Sequence, residues 1–299
     1  MVTKGAGQQV TDTDRPQGTP GPQPKGSTSR AGRDLPAAIG VGGTLGVSLI
    51  LILIFVPEVW FPVVAVAIGV ASWEVTKRFR ESGIKVALIP VLVGGQAIMW
   101  VSWPWGVTAS IVALAATVLV SMIWKLLGQG LQSAPDNYLQ DLAGTTLVLC
   151  WLPLMGAFGA SMVLEDNGAA RVFTLMIVVV CSDVGGYLFG VSFGKHPMAP
   201  AISPKKSWEG MVGSLIFGVA GSVLTVMFVV DAQWWIGLIL GPVLVICATL
   251  GDLVESQVKR DLGIKDMGTL LPGHGGIMDR LDSLLPSAFV VWAILGALL

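Results

Sequence analysis

Long apolar runs alternate with short polar segments along most of the chain. Nine runs have about 17–25 residues, the length that an α-helix needs to cross a bilayer. Trp60, Trp105 and Trp234 lie near predicted ends, where amphipathic rings favour the membrane interface. The pattern predicts an all-α integral membrane protein with about nine transmembrane helices. The predicted spans are 37–56, 59–76, 84–103, 105–127, 141–164, 170–191, 211–230, 233–254 and 283–299.

The composition agrees with this class and divides the chain. The 299 residues are 53% hydrophobic and 12% charged, too apolar for an ordinary soluble domain. Residues 1–34 are rich in Gly, Pro, Ser, Thr and Gln, so we expect a disordered cytoplasmic tail. We expect 35–165 to form N-terminal transmembrane helices and 166–299 to form a catalytic transmembrane region. The three cysteines fall in apolar runs without CxxC spacing, which argues against a disulfide framework or a zinc site.

The basic residues predict the orientation. If the N-terminus is cytoplasmic, the segments on that side hold 17 of the 18 Lys and Arg residues, and the outside loops hold Arg171. Lys and Arg concentrate in cytoplasmic loops of membrane proteins. We therefore predict an N-in, C-out topology, with the polar segments 192–210 and 251–283 both facing the cytoplasm.

The segment 251–283 carries most of the candidate chemistry. Its 33 residues hold ten charged side chains between two apolar runs, and charges at a membrane edge are usually kept for function. Asp252, Glu255, Ser256 and Lys259 have the spacing i, i+3, i+4 and i+7, so a continued helix places them on one face. Such a stripe suits a metal together with phosphates. The ordinary alternative is a solvated helix end with local salt bridges.

A glycine-rich turn follows, and then two carboxylates. Pro272 to Gly276 predicts a tight turn whose exposed amides can approach phosphate oxygens. Asp279 and Asp282 stand at i and i+3 at the start of the last helix, where ordinary helix capping also places acids. Hard oxygen ligands, with two histidines in the whole chain, favour magnesium over zinc.

A second polar segment ends span six and continues into a loop. Asp183 lies in an otherwise apolar helix, which favours a role in a site over a structural hydrogen bond. Gly186, Gly190 and Gly194 are four residues apart and predict a close helix contact. In the loop, the adjacent Lys205 and Lys206 suit a polyphosphate, although such a pair at a membrane edge is more often a topology signal.

These residues resemble a known family. The pattern Ser256-x-x-Lys259-Arg260-x4-Lys265-Asp266-x5-Pro272-x-His274-Gly275-Gly276-x-x-Asp279-Arg280-x-Asp282 is similar to the signature of phosphatidate cytidylyltransferases, also called CDP-diacylglycerol synthases. The segment from Asp183 to Gly210 is also similar, except that Ser207 stands where Thr is common. The resemblance covers about the last 120 residues.

The resemblance implies an activity and its partners. CTP and phosphatidate would give CDP-diacylglycerol and pyrophosphate, with magnesium as cofactor and potassium as an assisting ion. It also implies a homodimer in the lipid bilayer of the cell (inner) membrane, with its site open to the cytoplasm. No nucleic-acid partner is expected.

The implied site residues fall into three groups. The expected metal ligands are Asp252 and Asp279, with Asp183 as a further candidate. The expected catalytic residues are Lys259, Arg260, Lys265, Asp266, His274 and Asp282. The expected substrate-binding residues are Ser203, Lys205, Lys206, Ser256, Gly275, Gly276 and Arg280. The lysines would neutralise phosphates, and His274 would orient a phosphate or the glycine-rich turn.

Two other functions stay open at this point. A CTP-dependent polyprenol or lipid kinase would transfer the γ-phosphoryl group and release CDP. An ion-coupled transporter would use Asp183 and Asp252 as an ion relay. Against the transporter, the charges cluster at one face of the membrane, and no inverted repeat is visible in the sequence.

Overall fold

A computed structural model describes residues 35–128, 131–132, 134–270 and 275–299. The predicted tail, 1–34, and the predicted site residue His274 lie outside these ranges. Helices make up most of the described chain. They are α1 (Leu35–Phe55), α2 (Trp60–Glu81), α3 (Gly95–Leu127), α4 (Tyr138–Leu149), α5 (Met155–Ser161), α6 (Gly168–Phe193), α7 (Trp208–Phe228), α8 (Trp234–Asp261), α9 (Met278–Leu281) and α10 (Leu284–Leu298).

Short tighter or wider turns extend several of these helices. Turns of 3-10 helix at Pro57–Val59 and Met162–Leu164 precede α2 and follow α5. Single π-helical turns at Pro90–Gly94 and Cys150–Leu154 lead into α3 and join α4 to α5. A proline lies in each π-helical turn, where the regular hydrogen-bond ladder is already interrupted.

Seven helical segments of the described chain are long and apolar enough to cross a membrane. They are Pro57–Glu81, Pro90–Leu127, Tyr138–Leu164, Gly168–Phe193, Trp208–Phe228, Trp234–Asp261 and Met278–Leu298. Their outward faces carry large apolar side chains such as Val66, Val112 and Val180. This confirms a helical multi-pass membrane protein; the count of nine spans stays a prediction.

The longest segment, Pro90–Leu127, reverses direction at Gly106. This glycine has a φ of 72° and a ψ of 176°, which no helix contains. The Ser110 hydroxyl donates a hydrogen bond of 2.8 Å to the Ile98 carbonyl. Residues twelve apart in a straight helix would be about 18 Å apart. The segment is therefore a hairpin of two helical arms, as the separate predictions of 84–103 and 105–127 require.

Helices α6 and α7 cross with their backbones in close contact. A Cβ on Gly185 would run into the carbonyl oxygen of Gly213, and a Cβ on Gly213 would run into that of Gly185. Gly190 lies beside the Cα of Gly210 one turn further on. Small residues permit such approach between membrane helices. The predicted close contact of the glycine face of α6 is confirmed.

The loop between α6 and α7 contains two short β-strands within a mostly helical chain. Strands β1 (Pro197–Ala199) and β2 (Ser203–Ser207) form an antiparallel ribbon. The hydroxyl of Ser207 then caps α7 by accepting a 3.1 Å hydrogen bond from the Gly210 amide. The ribbon fixes Lys205 and Lys206 at the polar end of the α6–α7 pair.

The hydrophobic core is continuous across the predicted division at residue 165. Val75 and Phe79 of α2 are buried in one cluster with Met267, Met278 and Leu285. The polar segment that follows α8 is therefore packed against the N-terminal helices.

Gly185→Ala tests the backbone contact of α6 with α7. The added methyl group meets the Gly213 carbonyl, and overpacking of this kind costs about 1–3 kcal/mol, more than the helix propensity gained from alanine. We expect a lower melting temperature for the purified protein in detergent. The matched control is Gly46→Ala, since no atom lies within 4 Å of a Cβ at this position of α1. An unchanged or raised melting temperature for Gly185→Ala would contradict the close crossing.

Candidate active site

A polar pocket lies where the ribbon meets α6, α7 and α8, at the helix ends that are predicted to face the cytoplasm. Its volume is about 220 Å³. Helix α6 contributes Asp183 and Tyr187, the ribbon contributes Lys205 and Lys206, and α8 contributes Asp252. The two segments that the sequence analysis singled out, 183–210 and 251–283, therefore meet in one place.

Lys206 connects the ribbon to α8. Its ammonium nitrogen lies 2.6 Å from an Asp252 carboxylate oxygen, and it also donates a 3.4 Å hydrogen bond to the Thr249 carbonyl. The other Asp252 oxygen accepts a 3.3 Å hydrogen bond from the Ser256 hydroxyl, one turn along α8. The Asp252 carboxylate is 38% exposed and faces the pocket, so a ligand can reach it.

Lys259 connects α8 to α9. Its ammonium nitrogen lies 2.6 Å from Oε2 of Glu255 on its own helix and 2.5 Å from Oδ1 of Asp279. The side chains of Glu255 and Asp279 are 1% and 4% exposed. The predicted continuation of α8 through Lys259, with Asp252, Glu255 and Lys259 along one face, is confirmed.

Three carboxylates converge beside these lysines. Oxygen atoms of Asp252, Glu255 and Asp282 all lie within 4.8 Å of one another. The Oε1 atom of Glu255 is buried and has no hydrogen-bond partner among the described residues. Hard oxygen donors in this arrangement fit a divalent cation such as magnesium.

The formal charges support the same conclusion. Lys206 and Lys259 carry two positive charges, while Asp252, Glu255, Asp279 and Asp282 carry four negative charges when ionised. Buried like charges repel strongly unless a counterion balances them. A divalent cation would neutralise this six-residue network.

Asp279 organises the turn that precedes it. Its oxygens accept hydrogen bonds from the amides of Met267, at 3.1 Å, and of Gly276, at 2.6 Å, in addition to the Lys259 ion pair. Gly275 has a φ of 82°, and a Cβ there would run into the Asp279 carboxylate. The glycine is therefore required both by its backbone conformation and by the lack of space.

Two residues of α2 hold this turn from the other side, and the sequence analysis missed both. Glu74 is 2% exposed, and its Oε2 accepts a 3.1 Å hydrogen bond from the Met278 amide. The Cα atoms of Gly268 and Gly276 pack around the Glu74 carboxylate. Arg78 donates a 2.9 Å hydrogen bond from Nε to the Met267 carbonyl. An acid inside an apolar span was the available signal, because such residues are rarely without a partner.

The structure does not bring all the remaining predicted residues into this network. Ser203 and Arg260 lie at the ribbon, where Arg260 Nε donates a 3.3 Å hydrogen bond to the Ile202 carbonyl. Lys265 and Asp266 follow α8, and Arg280 lies exposed on α9. The sequence analysis placed Glu255 on a polar stripe suited to a metal, but did not include it among the expected metal ligands.

Comparison with known proteins identifies relatives along most of the chain. The pattern of the family described as "Cytidylyltransferase family" matches residues 37–298. A Mycobacterium bovis protein named phosphatidate cytidylyltransferase is 53% identical over 281 residues, which cover 91% of this chain and 92% of the relative. A Mycobacterium tuberculosis protein of the same name is 51% identical, covering 98% of this chain and 94% of the relative. A Staphylococcus saprophyticus protein, also of that name, is 33% identical over 68% of this chain and 77% of the relative.

Glu74→Ala tests the support of the turn by α2. The substitution leaves the buried Met278 amide without its acceptor, which costs about 1–3 kcal/mol. We expect a lower melting temperature and faster hydrogen exchange in residues 275–279. Glu74→Gln keeps an acceptor oxygen and should retain part of the protection. The exposed Glu58→Ala serves as the control, and equal exchange in all variants would rule out the supporting role.

Proposed function

This chain belongs to the cytidylyltransferase family, and we propose that it transfers the cytidylyl group of CTP to phosphatidate, giving CDP-diacylglycerol and pyrophosphate. The relatives named for this activity match over 90% of the chain at more than 50% identity. The observation that carries the proposal is the joining of Lys206, Lys259 and the three converging carboxylates in one network, which reaches the polar pocket at Lys206 and Asp252.

The reaction requires neutralisation of the negative charge on the two substrates rather than a strong base. An oxygen of the phosphatidate phosphate attacks the α-phosphorus of CTP, and the bond from that phosphorus to the pyrophosphate oxygen breaks. The nucleophile is already anionic, so the main barrier is the approach of two anions. Fixed positive groups aimed at the phosphates lower such a barrier. Lys205 and Lys206 on the ribbon would do this from one side of the pocket, and Lys259 from the α8 side.

The acidic cluster would hold the cofactor. Asp252, Glu255 and Asp282 supply three carboxylates for magnesium, and the unpartnered Oε1 of Glu255 supports this choice. Bound there, the metal would supply Lewis-acid stabilisation of phosphate charge. Asp183 lines the same pocket and remains a further proposed ligand. Asp279 also remains a proposed ligand. Its ion pair with Lys259 in addition holds that lysine in position. Potassium is proposed as the assisting ion.

Ser256, predicted to bind substrate, and Arg260, predicted to be catalytic, also make contacts within the site. Ser256 orients the Asp252 carboxylate through its 3.3 Å hydrogen bond. Arg260 holds the ribbon against the end of α8. The proposed phosphate-binding groups also include Ser203, Lys265, His274, Gly275, Gly276 and Arg280, and Asp266 remains a proposed catalytic residue.

The proposed setting is the inner membrane, with nine spans, a cytoplasmic N-terminus and the pocket facing the cytoplasm. The distribution of Lys and Arg supports this orientation, since 17 of 18 fall on one side. The hairpin in Pro90–Leu127 and the apolar α1 support the two spans beyond the seven long segments. We further propose that the protein is a homodimer in the bilayer.

Product analysis with purified protein tests the activity. We expect CTP labelled at its α-phosphorus to place the label in lipid, with release of pyrophosphate, and CTP labelled at its γ-phosphorus to leave the lipid unlabelled. Glu255→Gln should lower turnover by about 100-fold or more, because it removes one charge from the acidic cluster. The exposed Glu58→Gln makes the same chemical change away from the site and should retain full activity.

The labels separate the competing functions. A γ-label in the lipid would identify a lipid kinase, and an absence of CTP turnover by folded protein would contradict the enzyme. Omission of magnesium should abolish turnover, and readdition should restore it. Turnover of Glu255→Gln equal to that of Glu58→Gln would remove Glu255 from the proposed cofactor site.

Cysteine labelling tests the proposed orientation. In a background without the three native cysteines, Lys265→Cys should react with a membrane-impermeant maleimide only after the cells are opened. Asp231→Cys lies at the turn between α7 and α8 and should react in cells whose outer face is accessible. The reverse pattern would invert the topology.

A further inference from the structure

An apolar cavity lies inside the helix bundle beside the polar pocket. It has a volume of about 130 Å³, is lined by α1, α2, α5, α6, α9 and α10, and is partly open. Its walls include Leu49, Ala67, Met155, Met176 and Ala288. The one polar side-chain group at its edge, the Trp60 indole N–H, donates a 3.2 Å hydrogen bond to the Gly159 carbonyl.

A cavity of this kind favours an apolar occupant. Apolar cavities of about 150 Å³ in proteins stay dry and bind apolar molecules, and an empty cavity destabilises the structure around it. Gly156 and Gly159 line the cavity as residues without side chains. A Cβ on Gly156 would meet Ile68, and a Cβ on Gly159 would come within 3.3 Å of the Cβ of Ala288.

The position of the cavity connects it to the acidic cluster. Leu281 and Leu284 line it, and Asp282, between them in the chain, belongs to the cluster. Along α2 the cavity runs from Trp60 to Ile68, a rise of about 12 Å in a helix. It therefore starts near the charged groups and continues along α2 to Trp60, at the opposite predicted end of that helix.

We propose that this cavity is the binding site for one acyl chain of the lipid substrate. The inference rests on the proposed function, since it assigns the apolar part of phosphatidate to the cavity and its phosphate to the neighbouring network. A substrate with a charged head and an apolar tail requires both environments side by side. An acyl chain that moves from the bilayer into the cavity exchanges one apolar environment for another, so close packing against the cavity walls holds it there.

Ala67→Phe tests the site by filling the cavity from α2. We expect kcat/KM for dipalmitoyl phosphatidate to fall by about tenfold, because the phenylalanine ring occupies space that the acyl chain would fill. For dihexanoyl phosphatidate we expect a much smaller loss. Val66→Phe is the matched control, because Val66 is the preceding residue of α2 and is 66% exposed on the outer surface. An unchanged ratio of long-chain to short-chain kcat/KM in Ala67→Phe would overturn the acyl-chain site.

Photolabelling of the unmodified protein tests the site without a variant. Phosphatidate with a diazirine in its acyl chain should label peptides that contain Met155 or Met176, and unlabelled phosphatidate should compete. If a diazirine-bearing phosphatidylcholine labels the same peptides equally, the cavity takes bulk lipid and the proposal is wrong. Labelling outside these peptides would also overturn it.

The two proposals fail in different ways. Absence of turnover of both phosphatidates by the unmodified protein would count against the proposed function. Normal turnover with an unchanged chain-length ratio in Ala67→Phe would leave the function intact and remove only the acyl-chain site.

Discussion

The ion pairs of Lys259 are the interactions on which the site depends. Its ammonium group lies between Glu255 on α8 and Asp279 on α9, and both carboxylates are almost fully buried. Removal of one member of such a buried pair typically costs about 3–5 kcal/mol, because the remaining charge has no solvent to stabilise it. The lysine therefore fixes the end of α8 against the start of the last helix. This contact brings Asp282 to the carboxylates of α8.

The same constraint explains why the N-terminal helices belong to the site. The amides of Met267 and Gly276 donate hydrogen bonds to the Asp279 carboxylate. The buried Met278 amide does not, so it needs another acceptor. Glu74 supplies it from α2, 204 residues away in the chain, and Arg78 binds the Met267 carbonyl one turn further on. Buried backbone groups in a protein interior are almost always paired in this way. The described residues around Asp279, from Met267 to Gly268 and from Gly276 to Met278, are therefore held between α8 and α2.

The periodicity of residues along the chain was sufficient to predict some of these features. It could not predict contacts between residues that are far apart in the sequence. The stripe of Asp252, Glu255 and Lys259 follows from helical spacing alone. The spacing of the glycines in α6 predicted a close helix contact, which α7 makes. The ribbon was not predicted; Pro197 and Pro204 lie in its strands, which is possible because both strands of a two-stranded ribbon are edges and tolerate proline. Glu74 was missed because its partner lies at the other end of the sequence.

One helical turn separates the two environments that an amphipathic substrate requires. Leu281, Leu284 and Leu285 stand at i, i+3 and i+4, so they share a face, and all three line the apolar cavity. Asp282 also has helical backbone angles, but each residue is rotated by about 100° from the one before it. Its carboxylate therefore points away from the leucines and joins Asp252 and Glu255. The junction of α9 and α10 thus places carboxylates and apolar surface a few ångströms apart, which neither a polar loop nor an uninterrupted apolar helix would do.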